Sequence, residues 1–468
     1  MKQWKTTAVF LLLACTWAAL FWVTGSRTPW QMFSPKDKDA GIVVSLGEMA
    51  GRNYDRMGFE GGEILYVPSD GGWLVGTANG ELRHISAEGD EKWSHSIGTG
   101  LIRSLRLSAD GKTAYVGEKS PDGFLYALNV KTGDLLWKFK GYDAIGGEPD
   151  IRADPQAIHI STDQNGNIYA AFYRFTVKGD GQRGYVSQVI SFTADGKERW
   201  RYPAEKPMDA WVNWGEASPD GSRFAFGTAN YDKSKIENLE YNRNIYVLDG
   251  NTGTLIQGIS IPLADHFDSV TMRNAPSYSL DGQYLAAMTS DGRGFLFDRD
   301  GRLLWERHLA EAKEINGAWF FAAGRDARFL SDGVLFDTIN TFSRDNWQMP
   351  SPVIHPSSNS LFRFGLQGDF LWKYTAPGEI EAVDIGKGVA ALAVGRNVRN
   401  HDYLAHGAEV VRLSDGSLLT RYHTSGPLQN IAVSSDGTLM AGIEVPAVTP
   451  EGSLLGAYRL HIWKIESR

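Results

Sequence analysis

The feature that most constrains the fold is a short unit that recurs along the chain, a glycine followed four residues later by a tryptophan. Each copy follows a stretch in which apolar and polar residues alternate. Alternation that ends in a glycine turn is typical of a β-hairpin. The full copies are Gly89/Trp93, Gly133/Trp137, Gly196/Trp200, Gly301/Trp305 and Gly368/Trp372. Gly253 and Gly416 lie in the same context, with Gln257 and Thr420 in place of the tryptophan.

A second unit, Ser-x-Asp-Gly, lies between two further apolar strands. It occurs at Ser108–Gly111, Ser218–Gly221, Ser279–Gly282 and Ser434–Gly437. The aspartate can accept hydrogen bonds within its own turn, and the glycine supplies a positive φ. Together the two units predict a four-stranded antiparallel meander that ends in the tryptophan.

The meander recurs at a spacing of about 40–60 residues, which is typical of repeat architectures. A single four-stranded sheet cannot bury both faces, and packing such sheets radially solves that problem. The composition agrees, with 52 Gly, 15 Trp, 18 Tyr and 22 Phe. The sequence therefore predicts an all-β fold, an eight-bladed β-propeller. The predicted units are about 61–98, 99–140, 151–205, 209–262, 268–310, 313–376, 379–424 and 427–466.

The last unit lacks its fourth strand, because only three strands precede the end of the sequence. A short β-branched run, Gly41–Leu46, precedes the first complete unit. Pairing of this run with 456–465 would supply the missing outer strand and avoid an open edge. We therefore expect the propeller domain to span 41–468, with 41–46 closing its last blade.

The N-terminal segment has the composition of a membrane signal. Lys2 and Lys5 precede Thr6–Thr24, a run of 19 residues without a charge. As a helix it would be about 28 Å long, enough to cross a hydrocarbon core of about 30 Å. Residues 1–24 are therefore predicted to be a signal anchor, and 25–40 a polar tether. This interpretation places a single-pass protein in the cytoplasmic membrane, with its propeller on the extracytoplasmic side.

An alternative stays open at the same segment. Leu12-Leu13-Ala14-Cys15 resembles a bacterial lipobox, in which the cysteine becomes the lipidated first residue. Cys15 is the only cysteine of the chain. Against lipidation, the mature protein would begin with the apolar stretch Thr16–Val23.

One copy of the repeat points to a known family. Ala127-Leu128-Asn129-Val130-Lys131-Thr132-Gly133, followed by Trp137, resembles the repeat of the pyrroloquinoline quinone (PQQ)-like β-propeller superfamily, and Val247–Gly253 matches it in part. That superfamily includes quinoprotein alcohol dehydrogenases and the propeller lipoprotein of the outer-membrane β-barrel assembly machinery. The resemblance implies a propeller but not an activity, because one fold serves many functions.

The sequence gives little sign of catalytic chemistry. Quinoprotein members of the family bind PQQ beside paired cysteines and hold Ca²⁺ with acidic ligands, and this chain has a single cysteine. We therefore expect no enzyme activity, no PQQ or other cofactor and no bound metal. The net charge of −8 disfavours nucleic acid as a partner.

Candidate interaction residues lie where strands begin or where connections are long. Arg103, Arg273 and Asn274 start strands whose residues face the predicted central channel, where they would bind an anion or contact solvent. Trp211 and Trp214 flank the start of the fourth unit, where one of them is expected in the core. His266, Asp268 and His401 lie on connections at a propeller face. Insertions are predicted at 142–152, 175–184, 230–245, 338–358 and 398–407.

Three functions follow as hypotheses. The first is a membrane-anchored extracytoplasmic scaffold that binds a cell-envelope protein or a surface ligand. The second is an assembly factor similar to the propeller lipoprotein of the outer-membrane machinery. The third is a PQQ-dependent dehydrogenase, which the missing cysteine pair disfavours.

Overall fold

The computed structural model describes residues 37–38, 41–49, 61–148, 153–177, 183–229, 243–265, 267, 270–274, 276–343, 353–395, 405–449 and 452–466. Across these ranges the chain is built almost wholly of β-strands, with a single turn of helix, α1, at Tyr142–Ile145. Every predicted candidate before residue 37, including Cys15 and the segment 1–24, lies outside the described residues. No helix of the described ranges is long and apolar enough to span a membrane.

The strands group into antiparallel sheets of four main strands that follow one another along the chain, and the predicted all-β fold of such sheets is confirmed. One sheet has an additional short strand, and two neighbouring sheets are joined by the pairing of Lys119 with Gln156. The first two strands are β1 (Asp37–Lys38) and β2 (Ile42–Ser45). Sheet 1 has β3 (Gly62–Val67), β4 (Gly72–Thr77), β5 (Glu81–Ile85) and β6 (Glu91–Ser96); sheet 2 has β7 (Leu101–Leu107), β8 (Thr113–Lys119), β9 (Phe124–Asn129) and β10 (Leu135–Lys140); and sheet 3 has β11 (Gln156–Thr162), β12 (Ile168–Val177), β13 (Arg183–Phe192) and β14 (Glu198–Tyr202). Sheet 4 has β15 (Trp211–Ala217), β16 (Arg223–Ala229), β17 (Ile245–Asp249) and β18 (Leu255–Ile259); sheet 5 has β19 (Ser277–Tyr278), β20 (Tyr284–Met288), β21 (Arg293–Asp298) and β22 (Leu303–His308); and sheet 6 has β23 (Lys313–Ile315), β24 (Ala318–Leu330), β25 (Gly333–Ser343), β26 (Ser360–Gly365) and β27 (Phe370–Thr375). Sheet 7 has β28 (Ile380–Gly386), β29 (Val389–Val394), β30 (Gly407–Arg412) and β31 (Leu418–His423), and sheet 8 has β32 (Leu428–Val433), β33 (Leu439–Glu444) and β36 (Arg459–Lys464), with the hairpin β34 (Ala447–Val448) and β35 (Leu454–Leu455) between the last two.

The sheets form a closed, propeller-like ring. Each sheet packs against the next, and the first strands of neighbouring sheets contact one another, as β7 does with β3 and β11. Sheet 8 packs back on sheet 1 through contacts of β3 with β32 and β33. Ile64 and Trp73 of sheet 1 share one apolar cluster with Ile443 and Leu460 of sheet 8. The first strand of each sheet is therefore innermost, and these strands surround a central channel; the strands of sheet 6 are counted from β24, because β23 is an additional short strand.

The N-terminal part of the chain supplies two strands near the contact between sheets 8 and 1, which is called the seam below. Ile42–Ser45 pairs antiparallel with β36, with Ile42 opposite Ile462 and Ser45 opposite Arg459. It is the outer strand of sheet 8. Just before it, Asp37–Lys38 pairs in parallel with the outer edge of sheet 7, a contact that the sequence does not predict.

The tryptophan of the repeat connects neighbouring sheets, because the spacing of the repeat places it against a turn of the next sheet. Trp200, on the outer strand of sheet 3, lies against the turn of sheet 4 that contains Gly253. Its Nε1 donates to the carbonyl of Gly250 at 3.0 Å. Gly253 has φ +71°, and a Cβ built there would lie 2.6 Å from Cδ2 of Trp200. Glycine is needed for both the backbone conformation and the close approach of the ring.

The same arrangement recurs around the ring, because each tryptophan four residues after a turn glycine donates to a carbonyl of the next sheet. The other indole donors and their acceptors are Trp93 to Val130, Trp137 to Ala194, Trp305 to Leu366 and Trp372 to Leu413, at 2.9–3.0 Å. Between sheets 4 and 5 the indole is missing, and Gly301 instead faces Ile259 and Gln257.

We expect Gln257→Trp to stabilise the ring. The new indole would cover Gly301 in the way that Trp200 covers Gly253, and the exposed Gln257 would be lost at little cost. Partial burial of the ring should add about 1 kcal/mol to the free energy of unfolding. Thermal melting of the purified protein measures the change. Gln257→Ala is the control and should not raise the melting temperature, and a Gln257→Trp protein that melts no higher than this control would contradict the prediction.

One face of the ring, the turn face, carries only short turns. The connections between first and second strands, and between third and fourth strands, hold no more than five residues in any sheet. The predicted Ser-x-Asp-Gly turns lie here. In one of them, Ser218 Oγ donates to Asp220 Oδ1 at 2.6 Å, and the backbone N–H of Ser222 donates to the same oxygen at 3.0 Å. These local bonds hold the pKa of Asp220 well below its usual range, although partial burial opposes them.

The opposite face, the loop face, carries the long connections. They link second to third strands within a sheet, or fourth strands to the next sheet, and span 141–155, 230–244, 260–276, 344–359, 395–406 and 445–458. Two of the predicted insertions start too early in the sequence, because the strands before them are longer than predicted. β12 continues to Val177 and pairs with β13 from Arg183, and β25 continues to Ser343, where the sequence predicts a loop from 338. Apolar, weakly punctuated stretches of this kind hide the ends of long strands.

Candidate functional site

The central channel contains charged side chains of both signs on the innermost strands. They are Arg106 of β7, Glu216 of β15, Arg328 of β24 and Asp384 of β28, with His159 of β11 beside them. These side chains are enclosed by the ring and yet keep solvent-accessible surface. Arg106 is exposed, and the side chain of Arg328 is 41% exposed. Enclosure together with accessibility is what a water-filled channel produces.

The two channel carboxylates are held by backbone groups of neighbouring sheets. Glu216 Oε2 accepts the N–H of Tyr278 in sheet 5 at 3.1 Å, and Asp384 Oδ2 accepts the N–H of Val433 in sheet 8 at 2.8 Å. Burial raises the pKa of both carboxyls, and the charges of Arg106 and Arg328 act in the opposite direction. Each carboxylate therefore connects two sheets and presents its remaining lone pairs to the channel.

The channel histidine is neutral at physiological pH. Burial, together with the positive charges of Arg106 and Arg328, lowers the pKa of His159 to about 3. A neutral imidazole can donate from one ring nitrogen and accept at the other. It adds polarity to the channel without adding charge.

The mouth of the channel on the loop face is marked by β-bulges. The innermost strands of sheets 2, 3, 4, 6, 7 and 8 each change register near their first residues, for example between Ile102 and Ser104 and between Leu428 and Asn430. A bulge re-aims a side chain and is common beside functional sites.

The predicted channel-start residues lie at this mouth. Arg103 is the bulged residue of β7, and its Nε donates to Gln156 Oε1 of sheet 3 at 3.2 Å. Arg273 lies with its guanidinium 5.2 Å from the ring centre of Phe342, and both Arg273 and Asn274 keep accessible surface. They begin the innermost part of sheet 5, where Met272 bridges to Thr289.

The two predicted tryptophans belong to sheet 4. Trp211 stacks on Tyr185 with ring centres 5.7 Å apart and planes 11° apart, and it also contacts Tyr173 and Phe175. It is partly buried beside the core of sheets 3 and 4. The side chain of Trp214 lies outside the described part of the structure, as do His266, Asp268 and His401.

The four charged side chains of the channel are not among the residues predicted from the sequence. A signal for two of them is present, since Arg106 and Glu216 each stand two residues before a Ser-x-Asp-Gly turn. A charged residue at the end of an otherwise apolar inner strand is unusual unless it faces water or a partner. Arg328 and Asp384 have no such turn after them and carry no comparable signal.

The loop face also exposes large apolar side chains. Five large ones are more than half exposed there, and they are Val177, Leu263, Ile354, Val448 and Leu454. Val448 and Leu454 belong to the extra hairpin of sheet 8. Exposed apolar residues grouped with long connections are typical of protein-binding surfaces.

The described ranges hold no cluster of three or more His, Cys, Asp or Glu side chains arranged to bind a metal ion. The geometry of the described residues offers a polar channel and a loop-rich face.

Comparison with known proteins agrees with the repeat. Residues 58–173, about a quarter of the chain, match the family described as "Outer membrane protein assembly factor BamB". The resemblance to PQQ-like propellers is thus confirmed over the first repeats. None of the curated proteins is a significant match to the sequence.

Solved structures share the fold at low identity. BamB from Moraxella catarrhalis is 14% identical, with a TM-score of 0.51 over 90% of this chain and 100% of its own. The C-terminal WD40 domain of Sif2 is 12% identical, with a TM-score of 0.56 over 92% of this chain and 100% of its own. The computationally designed Ika8 protein is 12% identical, with a TM-score of 0.51 over 88% of this chain and 99% of its own. At these identities the likeness concerns the fold alone.

Proposed function

We propose that the protein is a non-enzymatic interaction scaffold, held in the cytoplasmic membrane through residues 1–24, with an eight-bladed propeller on the extracytoplasmic side. The observation that carries the proposal is the asymmetry of the ring. The long connections all lie on the loop face, together with exposed apolar side chains such as Leu454, while the turn face has only short turns. A rigid ring that presents irregular loops on one side is suited to binding a protein.

The partner in this proposal is a cell-envelope protein that docks over the channel mouth. Apolar side chains such as Leu454 would be buried by it, and Asn274 and Arg273 would contribute polar contacts at the centre of the surface. Aromatic and apolar anchors with a polar surround are the usual composition of such interfaces. The acidic net charge of the chain favours a partner with a basic surface.

A narrower form of this function is an assembly factor for outer-membrane proteins. The family match over residues 58–173 favours it, because that family is described by this role. Under this form the dominant partner would be a subunit of the barrel-assembly machinery. The scaffold proposal itself does not depend on which envelope protein binds.

Site-specific photo-cross-linking in the native envelope tests the proposal. A photoreactive amino acid would replace Asn274 or Leu454 on the loop face. Matched positions are Lys112 on the turn face, whose side chain is 82% exposed, and Leu304 on an outer strand, which is 46% exposed. We expect discrete cross-linked proteins from Asn274 and Leu454 and none from Lys112.

Mass spectrometry of the adducts identifies the partner. A barrel-assembly subunit would support the narrower form, and another envelope protein the broader one. Cross-links confined to Lys112 or Leu304, or adducts only with cytoplasmic proteins, would contradict the proposal.

A further inference from the structure

The charged side chains of the channel stand at one level, near the turn face. Arg106 and Glu216 are each one residue from the end of their strands, and Arg328 and Asp384 are each two residues from the end. All four innermost strands run toward the turn face. Positive groups therefore come from sheets 2 and 6, and negative groups from sheets 4 and 7.

These four side chains do not neutralise one another by direct contact. The guanidinium of Arg106 makes no hydrogen bond or ion pair with any described residue, although it is close enough to act electrostatically on Glu216 and Asp384. Arg328 uses its Nε for Asp326 Oδ2 at 3.0 Å and has no other such bond to a described residue. The carboxylates are bonded to backbone N–H groups instead, and Glu216 also accepts a hydrogen bond from the side chain of Ser277.

Opposite charges that a rigid ring holds apart leave charge-assisted hydrogen bonds between them unmade. Across water their attraction is weak, because the high dielectric constant of the solvent screens it. A molecule that carried the opposite charges would replace solvent with charge-assisted hydrogen bonds, which are stronger than neutral ones. The sheets already fix the positions of the groups, so little ordering would be needed on binding.

We propose that this level of the channel is a binding site for a small amphoteric molecule, an amino acid or a short peptide, whose carboxylate binds Arg106 and whose ammonium group binds Glu216 or Asp384. A simple anion would meet two carboxylates, and a simple cation would meet the guanidinium of Arg106, whereas the guanidinium of Arg328 is already paired with Asp326. Only a ligand that bears both charges satisfies both sets. This site is separate from the loop face and holds whether or not that face binds a protein.

Calorimetric titration with three related probes tests the site. Glycylglycine carries both charges, N-acetylglycylglycine lacks the ammonium group, and glycylglycinamide lacks the carboxylate. We expect saturable binding of glycylglycine by the full-length protein and binding about tenfold weaker or more for either of the other two, since each loses a charge-assisted bond. Added salt should weaken the binding.

Variants assign the two ends of the ligand. Arg106→Gln should weaken glycylglycine binding about tenfold or more, and Glu216→Gln should weaken glycylglycine while leaving N-acetylglycylglycine no weaker. Because Arg106 is exposed and makes no bond to a described residue, its variant is expected to fold with an unchanged melting temperature. Arg302→Gln, at an exposed arginine of the turn face, is the matched control and should bind like the wild type.

The resonances of His159 give a local readout. They should shift on addition of glycylglycine to the wild type and to Arg302→Gln, and not in Arg106→Gln. The proposal fails if the wild type binds none of the probes. It also fails if Arg106→Gln binds glycylglycine as tightly as the wild type, or if N-acetylglycylglycine binds as tightly as glycylglycine.

Discussion

Replacement of Trp200 by alanine is expected to cost about 3–5 kcal/mol of the free energy of unfolding. The side chain is only 7% exposed and packs against the rings of Tyr169 and Phe224, with centres 5.8 and 6.3 Å away. Its indole also donates to Gly250 of the next sheet. The substitution therefore opens a cavity and removes a connection between sheets 3 and 4 at the same time. Denaturant unfolding of the purified protein measures the loss.

Two matched variants separate these effects. Trp200→Phe keeps an aromatic ring and removes the N–H donor, so it should lose less than the alanine variant. Trp137→Ala removes the equivalent side chain between sheets 2 and 3, where the tryptophan is only partly buried, and should also cost less than Trp200→Ala. A loss below about 1 kcal/mol at Trp200 would mean that the tryptophan does not hold the sheets together.

The architecture can be predicted because its signals are local. A glycine turn, an aspartate turn and alternating strands each depend on a few adjacent residues, and their repetition specifies the arrangement of sheets. The tryptophan at a fixed distance from Gly133 or Gly196 marks the contact between neighbouring sheets from sequence alone. The long strands β24 and β25 are harder to delimit, because a nearly continuous apolar run has no alternation and no turn to mark its ends.

The candidate site can be predicted only in part. Arg103, Arg273 and Asn274 are identified by their place at the start of inner strands, and the structure has them at the channel mouth. The opposite level of the channel depends on which side chains from different sheets come close together, as Arg106 and Glu216 do. That relation is set by the ring as a whole and leaves no signature within either strand.

The seam between the two ends of the chain explains how the tether and the ring are connected. Arg83 of sheet 1 donates to the carbonyl of Ser45 at 3.3 Å, and the N–H of Ala78 donates to Tyr458 Oη at 2.8 Å. Sheets 1 and 8 are thus joined by side chains on both sides of the N-terminal strand. A force on residues before β1 would act first on the short pairing of β1 with sheet 7 and then on β2, which is the outer edge of sheet 8.

Deletion of residues 41–49 is expected to destabilise the ring by at least about 4 kcal/mol, because it removes Leu46 and Met49 from the core between sheets 8 and 1. Leu46 is 1% exposed and Met49 is 6% exposed, and the N–H of Leu46 donates to the carbonyl of Tyr458 at 3.1 Å. The edge of β36 would also lose its partner. Because repeats contact only their neighbours, the loss should begin as fraying of sheet 8. Hydrogen exchange of residues 459–464 reads this directly, and we expect their protection to fall.

Point variants keep the test independent of a large deletion. Leu46→Ala alone should cost about 2–5 kcal/mol, whereas Val43→Thr, at a position that is 45% exposed on the same strand, should cost less than about 1 kcal/mol. Removal of residues 1–40 leaves β2 in place and takes away only the short pairing of Asp37–Lys38 with sheet 7, so residues 459–464 should stay protected. If they stay equally protected after deletion of 41–49, sheet 8 is stable without its N-terminal strand, and closure of the ring does not depend on residues 41–49.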